Sequence, residues 1–152
     1  MNDGVSRMRV LKFGLAVTLS TVLCSCNRSS SHEVAQTLSP DGRIEAVLTE
    51  INGGATTSFG YDVSVGPKGS GRGVRVATLY GAIRSEQAYG VNLHWANNNV
   101  LQVEYLRAKA SRNVLNTAEV NGEQVQVMLK SGVEDLSAPP GGMFFNLQRQ
   151  PH

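Results

Sequence analysis

The sequence predicts an all-β domain: a single antiparallel β-sandwich or small open barrel of about seven or eight strands, following an N-terminal signal helix. Three observations predict it. Apolar and polar side chains alternate with a period of two through most of the chain beyond residue 33, the pattern of a half-buried strand. Turn signals built from Gly, Pro and Asn recur at roughly ten-residue intervals, the spacing of short antiparallel strands. No segment after residue 26 sustains a 3.6-residue period, although residues 81–90 have room for one helical turn. The 16 glycines and the 17% of charged residues suit a turn-rich globular domain.

Taken in order, Val34 to Leu38 reads as a short first strand. Ser39-Pro40-Asp41-Gly42 has Pro at the second and Gly at the fourth position, the pattern of a type I turn. Arg43 to Ile51 is rich in Ile, Val, Leu and Thr on both faces and reads as a central strand, broken by Asn52-Gly53-Gly54. Tyr61, Val63 and Val65 alternate with Asp62 and Ser64. The stretch from Gly66 to Gly73 is a loop, and Val74, Val76 and Thr78 resume the alternation towards Tyr80. Leu93 and Trp95 answer Leu101 and Val103 across the Asn97-Asn98-Asn99 turn. Asn121-Gly122 is the strongest two-residue hairpin signal, joining a strand over 114–120 to one over 123–129. Met143 to Leu147 has room for a last edge strand.

The formal net charge of +2 belongs to the amino-terminal segment, where Arg7, Arg9 and Lys12 outnumber Asp3. From Cys26 onward basic and acidic residues balance, which argues against nucleic-acid binding, since that rests on phosphate neutralisation. Residues 1–25 read as a signal peptide: a positive region, then the apolar run Phe13–Leu23. That run is short of the roughly 20 apolar residues a membrane span takes. Met8 serves as well as Met1 for its start.

Leu23-Cys24-Ser25-Cys26 resembles the bacterial lipobox, with Leu at −3, a small residue at −1, then Cys. The resemblance implies diacylglycerol and a further acyl chain such as palmitate on Cys26, cleavage before it, and a protein held in the cell envelope, facing the periplasm. Asn27 after the cysteine implies the outer membrane rather than the inner. Cys24 leaves with the signal, so the body carries no disulfide, thiol nucleophile or Cys metal site. Residues 26–33 then form a lipidated cysteine and flexible tether, and residues 34–148 a single all-β domain.

The lipobox, the Ser-Pro-Asp-Gly turn and the stretch Asn52-Gly53-Gly54-Ala55-Thr56-Thr57-Ser58-Phe59 together resemble a family of small bacterial lipoproteins to which no activity is attached. Asn52, Gly53, Gly54, Thr56, Thr57 and Ser58 form the candidate binding loop. Adjacent glycines free backbone N–H groups and three successive hydroxyls follow, a set that suits an anion or a glycan. The plainer reading is a wide loop whose hydroxyls satisfy their own backbone.

Other patterns fall short of a site. Gly66 to Gly73 lacks the order of a phosphate loop and no helix follows it, so no nucleotide is expected. His94 faces away from Trp95 by strand alternation and is the only histidine inside the body; His32 and His152 lie near its ends. No metal site, cofactor or Ser-His-Asp arrangement emerges. The cluster Arg107, Lys109 and Arg112 follows the Leu101–Leu106 strand, suited either to anionic headgroups or to solvent and nearby Glu partners. The expectation is a non-catalytic module that binds or supports an envelope protein or glycan. Its alternatives are a hydrolase or carbohydrate-active enzyme using two carboxylates and a protein–protein module acting by strand-edge pairing.

Overall fold

The computed structural model describes residues 29–138, and every regular element among them is a β-strand. In chain order the strands are β1 (Ser30–Leu38), β2 (Ile44–Asn52), β3 (Gly60–Pro67), β4 (Val74–Tyr80), β5 (Ile83–Ser85), β6 (Ala88–Tyr89), β7 (Asn92–Asn97), β8 (Val100–Tyr105), β9 (Ala110–Asn113), β10 (Thr117–Val120) and β11 (Glu123–Ser131). They form a five-stranded sheet of order β1-β2-β3-β4-β9, a four-stranded sheet of order β10-β11-β8-β7, and the small hairpin β5-β6. Among the described residues the architecture is sandwich-like, with no closed barrel.

Period-two alternation supplies the core. Ala46, Leu48, Tyr61, Val63, Val65, Val76 and Leu79 come from the larger sheet, and Trp95, Leu101, Val103, Val125 and Val127 from the smaller. As its apolar faces predict, β2 is central, lying between β1 and β3. Trp95 is buried and His94 exposed, as the register requires. At Asn121-Gly122 both residues take positive φ, 53° and 78°, and Val120 pairs with Glu123 across a two-residue turn.

Four expectations are corrected. Residues 81–90 form the β5-β6 hairpin rather than a helical turn: Ile83 pairs with Tyr89, and the eight residues between Gly81 and Gly90 are too few for a helix that is stable on its own. The expected strand over 114–120 begins only at Thr117, because the Val114 and Leu115 N–H groups turn aside to the Val76 carbonyl. Not every pair is antiparallel: β11 runs parallel to β8. Between them the chain places β9 in the opposite sheet and returns through the β10-β11 hairpin, and such a crossover delivers a parallel strand. Residues 30–33 of the expected tether are strand, with Ser30 opposite Asn52 and Ser31 opposite Ile51. Positions 1–28, with the expected signal peptide and Cys26, and the expected last strand over 143–147 lie outside the described residues.

The register gives the sandwich two distinct ends. Ser31, Ile51, Gly60, Tyr80 and Ala110 form one continuous row across the larger sheet. Beyond that row lie the Asn52–Gly60 connection, the β5-β6 hairpin, residues 106–109 and residues 132–138. Backbone bonds tie these segments together: Lys109 N–H to the Tyr80 carbonyl, Leu106 N–H to Ile83, Asp135 N–H to Arg84. The opposite end carries the Ser39–Arg43 turn, the loop from Lys68 to Gly73, and the turns at Asn98-Asn99 and Asn121-Gly122.

Candidate functional site

The candidate loop is built by its own glycines. Asn52 Oδ1 accepts the Gly54 N–H at 2.9 Å, closing a turn of the kind Asn side chains favour. Gly54 takes φ 103°, a conformation that resists any side chain. Thr57 then folds back on Gly54, whose carbonyl accepts both its N–H at 3.2 Å and its hydroxyl at 3.1 Å. A Cβ at Gly53 would stand 2.7 Å from Thr57 Oγ1, so the chain packs closely there.

The three successive hydroxyls do not share a rim. Thr56 is exposed, Thr57 bonds within the loop, and Ser58 is buried. The Ser58 N–H donates to Tyr80 Oη at 3.1 Å. Its Oγ accepts from Lys109 Nζ at 2.7 Å and from Tyr89 Oη at 3.3 Å. Ser58 thus joins the loop to β4, β6 and the β8–β9 connection at once.

Beneath it lies a buried acid–phenol pair. Glu50 and Tyr61 are each 1% exposed, and the Tyr61 hydroxyl donates to Glu50 Oε2 at 3.0 Å. Burial pushes the Tyr61 phenol well above its ordinary pKa, and the nearby Glu50 charge adds to the rise. Phe59 and Tyr89 pack ring on ring at 5.4 Å, and Lys109 Nζ lies 5.9 Å from the Tyr80 ring centre. The bond from the Ser58 N–H lowers the Tyr80 pKa, with Lys109 acting the same way. Beside this network a cavity of about 340 Å³ is lined by Gly81, Ile83, Glu86, Tyr89, Arg107 and Lys109, with Arg107 and Glu86 paired at 2.6 Å.

A serine beside a lysine invites comparison with a nucleophile and its base. In that chemistry the base takes the hydroxyl proton. Here Ser58 Oγ is held between Lys109 Nζ and the Tyr89 hydroxyl, an arrangement that ties two elements to the loop. Several carboxylates are tied to partners: Asp62 to Arg75 at 2.9 Å, Glu104 to Lys130 at 3.1 Å, Glu123 to Arg43 at 2.6 Å, and Asp135 to Asn92 at 2.9 Å. Glu45, 5% exposed, accepts from Gln36 Nε2 at 2.7 Å and from the Gly69 N–H at 2.8 Å. The glycine-rich loop therefore closes over a carboxylate, which would repel a phosphate. Among the described residues no group of three or more His, Cys, Asp or Glu side chains is placed to hold a metal ion.

Sequence reasoning named Ser58 but missed its partners, since Lys109 lies 51 positions away. It also missed Glu50, which reads as one more singly placed acid on a strand. The visible hint was aromatic: Phe59, Tyr61, Tyr80 and Tyr89 flank the strand ends that converge here. Comparison with protein-family models, curated proteins and solved structures finds no match to the chain.

Proposed function

We propose that the chain is a lipid-anchored protein of the bacterial envelope, attached through Cys26, facing the periplasm and held at the outer membrane. Its β-sandwich acts without catalysis, binding or supporting another envelope component, a protein or a glycan. The observation that carries the reading is the lipobox-like Leu23-Cys24-Ser25-Cys26 standing immediately ahead of a domain whose first strand begins at Ser30. The inward pairing of Ser58, Glu50 and Tyr61 supports a structural role for the polar groups nearest that strand's start.

A second reading, pairing by strand edge, is favoured by β1, nine residues long on the rim of its sheet. Its register shift between Glu33 and Ala35 and the exposed His32 and Glu33 are the features that blunt such edges.

The test is fractionation of cells expressing Cys26→Ser or Cys24→Ser. Cys26→Ser is expected to leave the membrane fraction and lose labelled palmitate, while Cys24→Ser keeps both. A Cys26→Ser protein that still sediments with membranes and carries label overturns the proposal.

A further inference from the structure

We propose that the Asn52 end of the sandwich is the face that rests on the membrane, and that its partner is the phospholipid headgroup layer. Tyr80 and Leu136 make the apolar contacts and Arg107 the contact with lipid phosphate, with Lys109 beside it. This inference rests on the reading that Cys26 carries the lipid.

Chain length selects the end. Ser30 follows Cys26 by four positions, and four residues span at most about 14 Å even when fully extended. Ser30 pairs with Asn52, and the next pair begins the row that runs through Gly60 and Tyr80 to Ala110. Everything beyond that row lies on the lipid's side of the domain. The opposite end stands a nine-residue strand further away, roughly 30 Å at the usual rise. That is more than the linking residues can make up.

The side chains at this end suit an interface. Leu136 is 71% exposed and Tyr80 is 42% exposed. Leu38 and Val74 are exposed at the other end, so apolar content alone does not choose between the two; the covalent reach does. Tyr80 turns its hydroxyl to the Ser58 N–H and still leaves much of its side chain exposed, and tyrosine is a residue that suits the headgroup level. Among the described residues the Arg107 side chain is held by an ion pair with Glu86, both side chains more than half exposed. Such pairs contribute little, so a lipid phosphate can replace the carboxylate at small cost. Lys109 follows two positions later on the wall of the same cavity.

The inference is tested on the full-length acylated protein in vesicles of phosphatidylethanolamine and phosphatidylglycerol containing a headgroup-nitroxide lipid. A bimane label is placed at Gln87→Cys, in the turn between β5 and β6, or at Asn98→Cys, in the turn at the opposite end. The label at 87 is expected to be quenched several-fold more than the label at 98. Adding Leu136→Ser and Arg107→Gln to the first variant is expected to halve its quenching with melting unchanged. Equal quenching at the two positions, or stronger quenching at 98, overturns the orientation. Quenching at 87 untouched by the double change overturns the named contacts. The mass of the amino-terminal peptide is read in parallel: a peptide without acyl chains overturns the lipid reading, and the orientation with it.

Discussion

Lys109 Nζ lies 2.7 Å from Ser58 Oγ, fastening the connection between β8 and β9 to the connection between β2 and β3. Ser58 also receives the Tyr89 hydroxyl, so one buried serine accepts from two donors on separate elements. Ser58→Ala removes the acceptor of both and is expected to cost about 1–3 kcal/mol, the range for bonds to charged groups and for donors left unpaired. Urea midpoints of the two proteins measure it. A shift within about 0.5 kcal/mol, as at an ordinary surface position, would show that the serine does not fasten the loop.

Gly53 and Thr57 are expected to couple. Thr57→Ala loses the bond to the Gly54 carbonyl at a cost of about 1 kcal/mol. Gly53→Ala places a methyl against Thr57 Oγ1, and that clash disappears when the hydroxyl is gone. The double variant should therefore lose less than the two single losses added together. Simple additivity in a denaturation cycle would contradict the close packing. Thr56→Ala, at an exposed position, is expected to stay within about 0.5 kcal/mol.

Trp95 and His94 are neighbours in sequence on opposite faces of β7. Trp95→Ala is expected to cost about 3–5 kcal/mol, as aromatic truncations in a core do. His94→Ala should change stability by about 0.5 kcal/mol or less. Reversed denaturation midpoints would mean that the register of β7 is wrong.

The Ser39–Arg43 turn carries a pH signature. Asp41 is held at a pKa of about 2, first by the Ser39 hydroxyl at 2.6 Å and then by Arg43. Because its folded pKa lies below its unfolded one, its contribution is complete above the ordinary carboxylate range and is lost as pH falls towards about 2. Asp41→Asn should therefore melt below wild type at pH 6, with the gap closing between about pH 4 and pH 2. A gap that persists unchanged at pH 2 would contradict the assignment.

Local chemistry explains what was legible in the sequence. Asn121-Gly122 can adopt two successive positive φ values at little strain, so that hairpin could be read directly. Alternation along 91–105 fixed which faces of β7 and β8 are buried, Trp95 included. What escaped was non-local. Nothing near β8 announces that its partner is β11, because the parallel pairing depends on where β9 docks. Glu45 and Glu50 read as acids placed singly on a strand, with nothing to say which partner each meets, and both are buried where a distant loop or phenol supplies hydrogen bonds. Residues 53–59 connect β2 to β3, and the hydroxyls of Thr56, Thr57 and Ser58 take three separate directions that only the fold determines. The first strand begins at Ser30, within a Ser-rich stretch that reads as linker, because pairing with β2 overrides its composition.

The most direct measurement of the central claim is the mass of the amino-terminal peptide of the protein purified from membranes. The mature chain is expected to begin at Cys26, with diacylglycerol on its sulfur and an acyl chain on its α-amino group. A chain that begins elsewhere, or an unmodified thiol at Cys26, would contradict it.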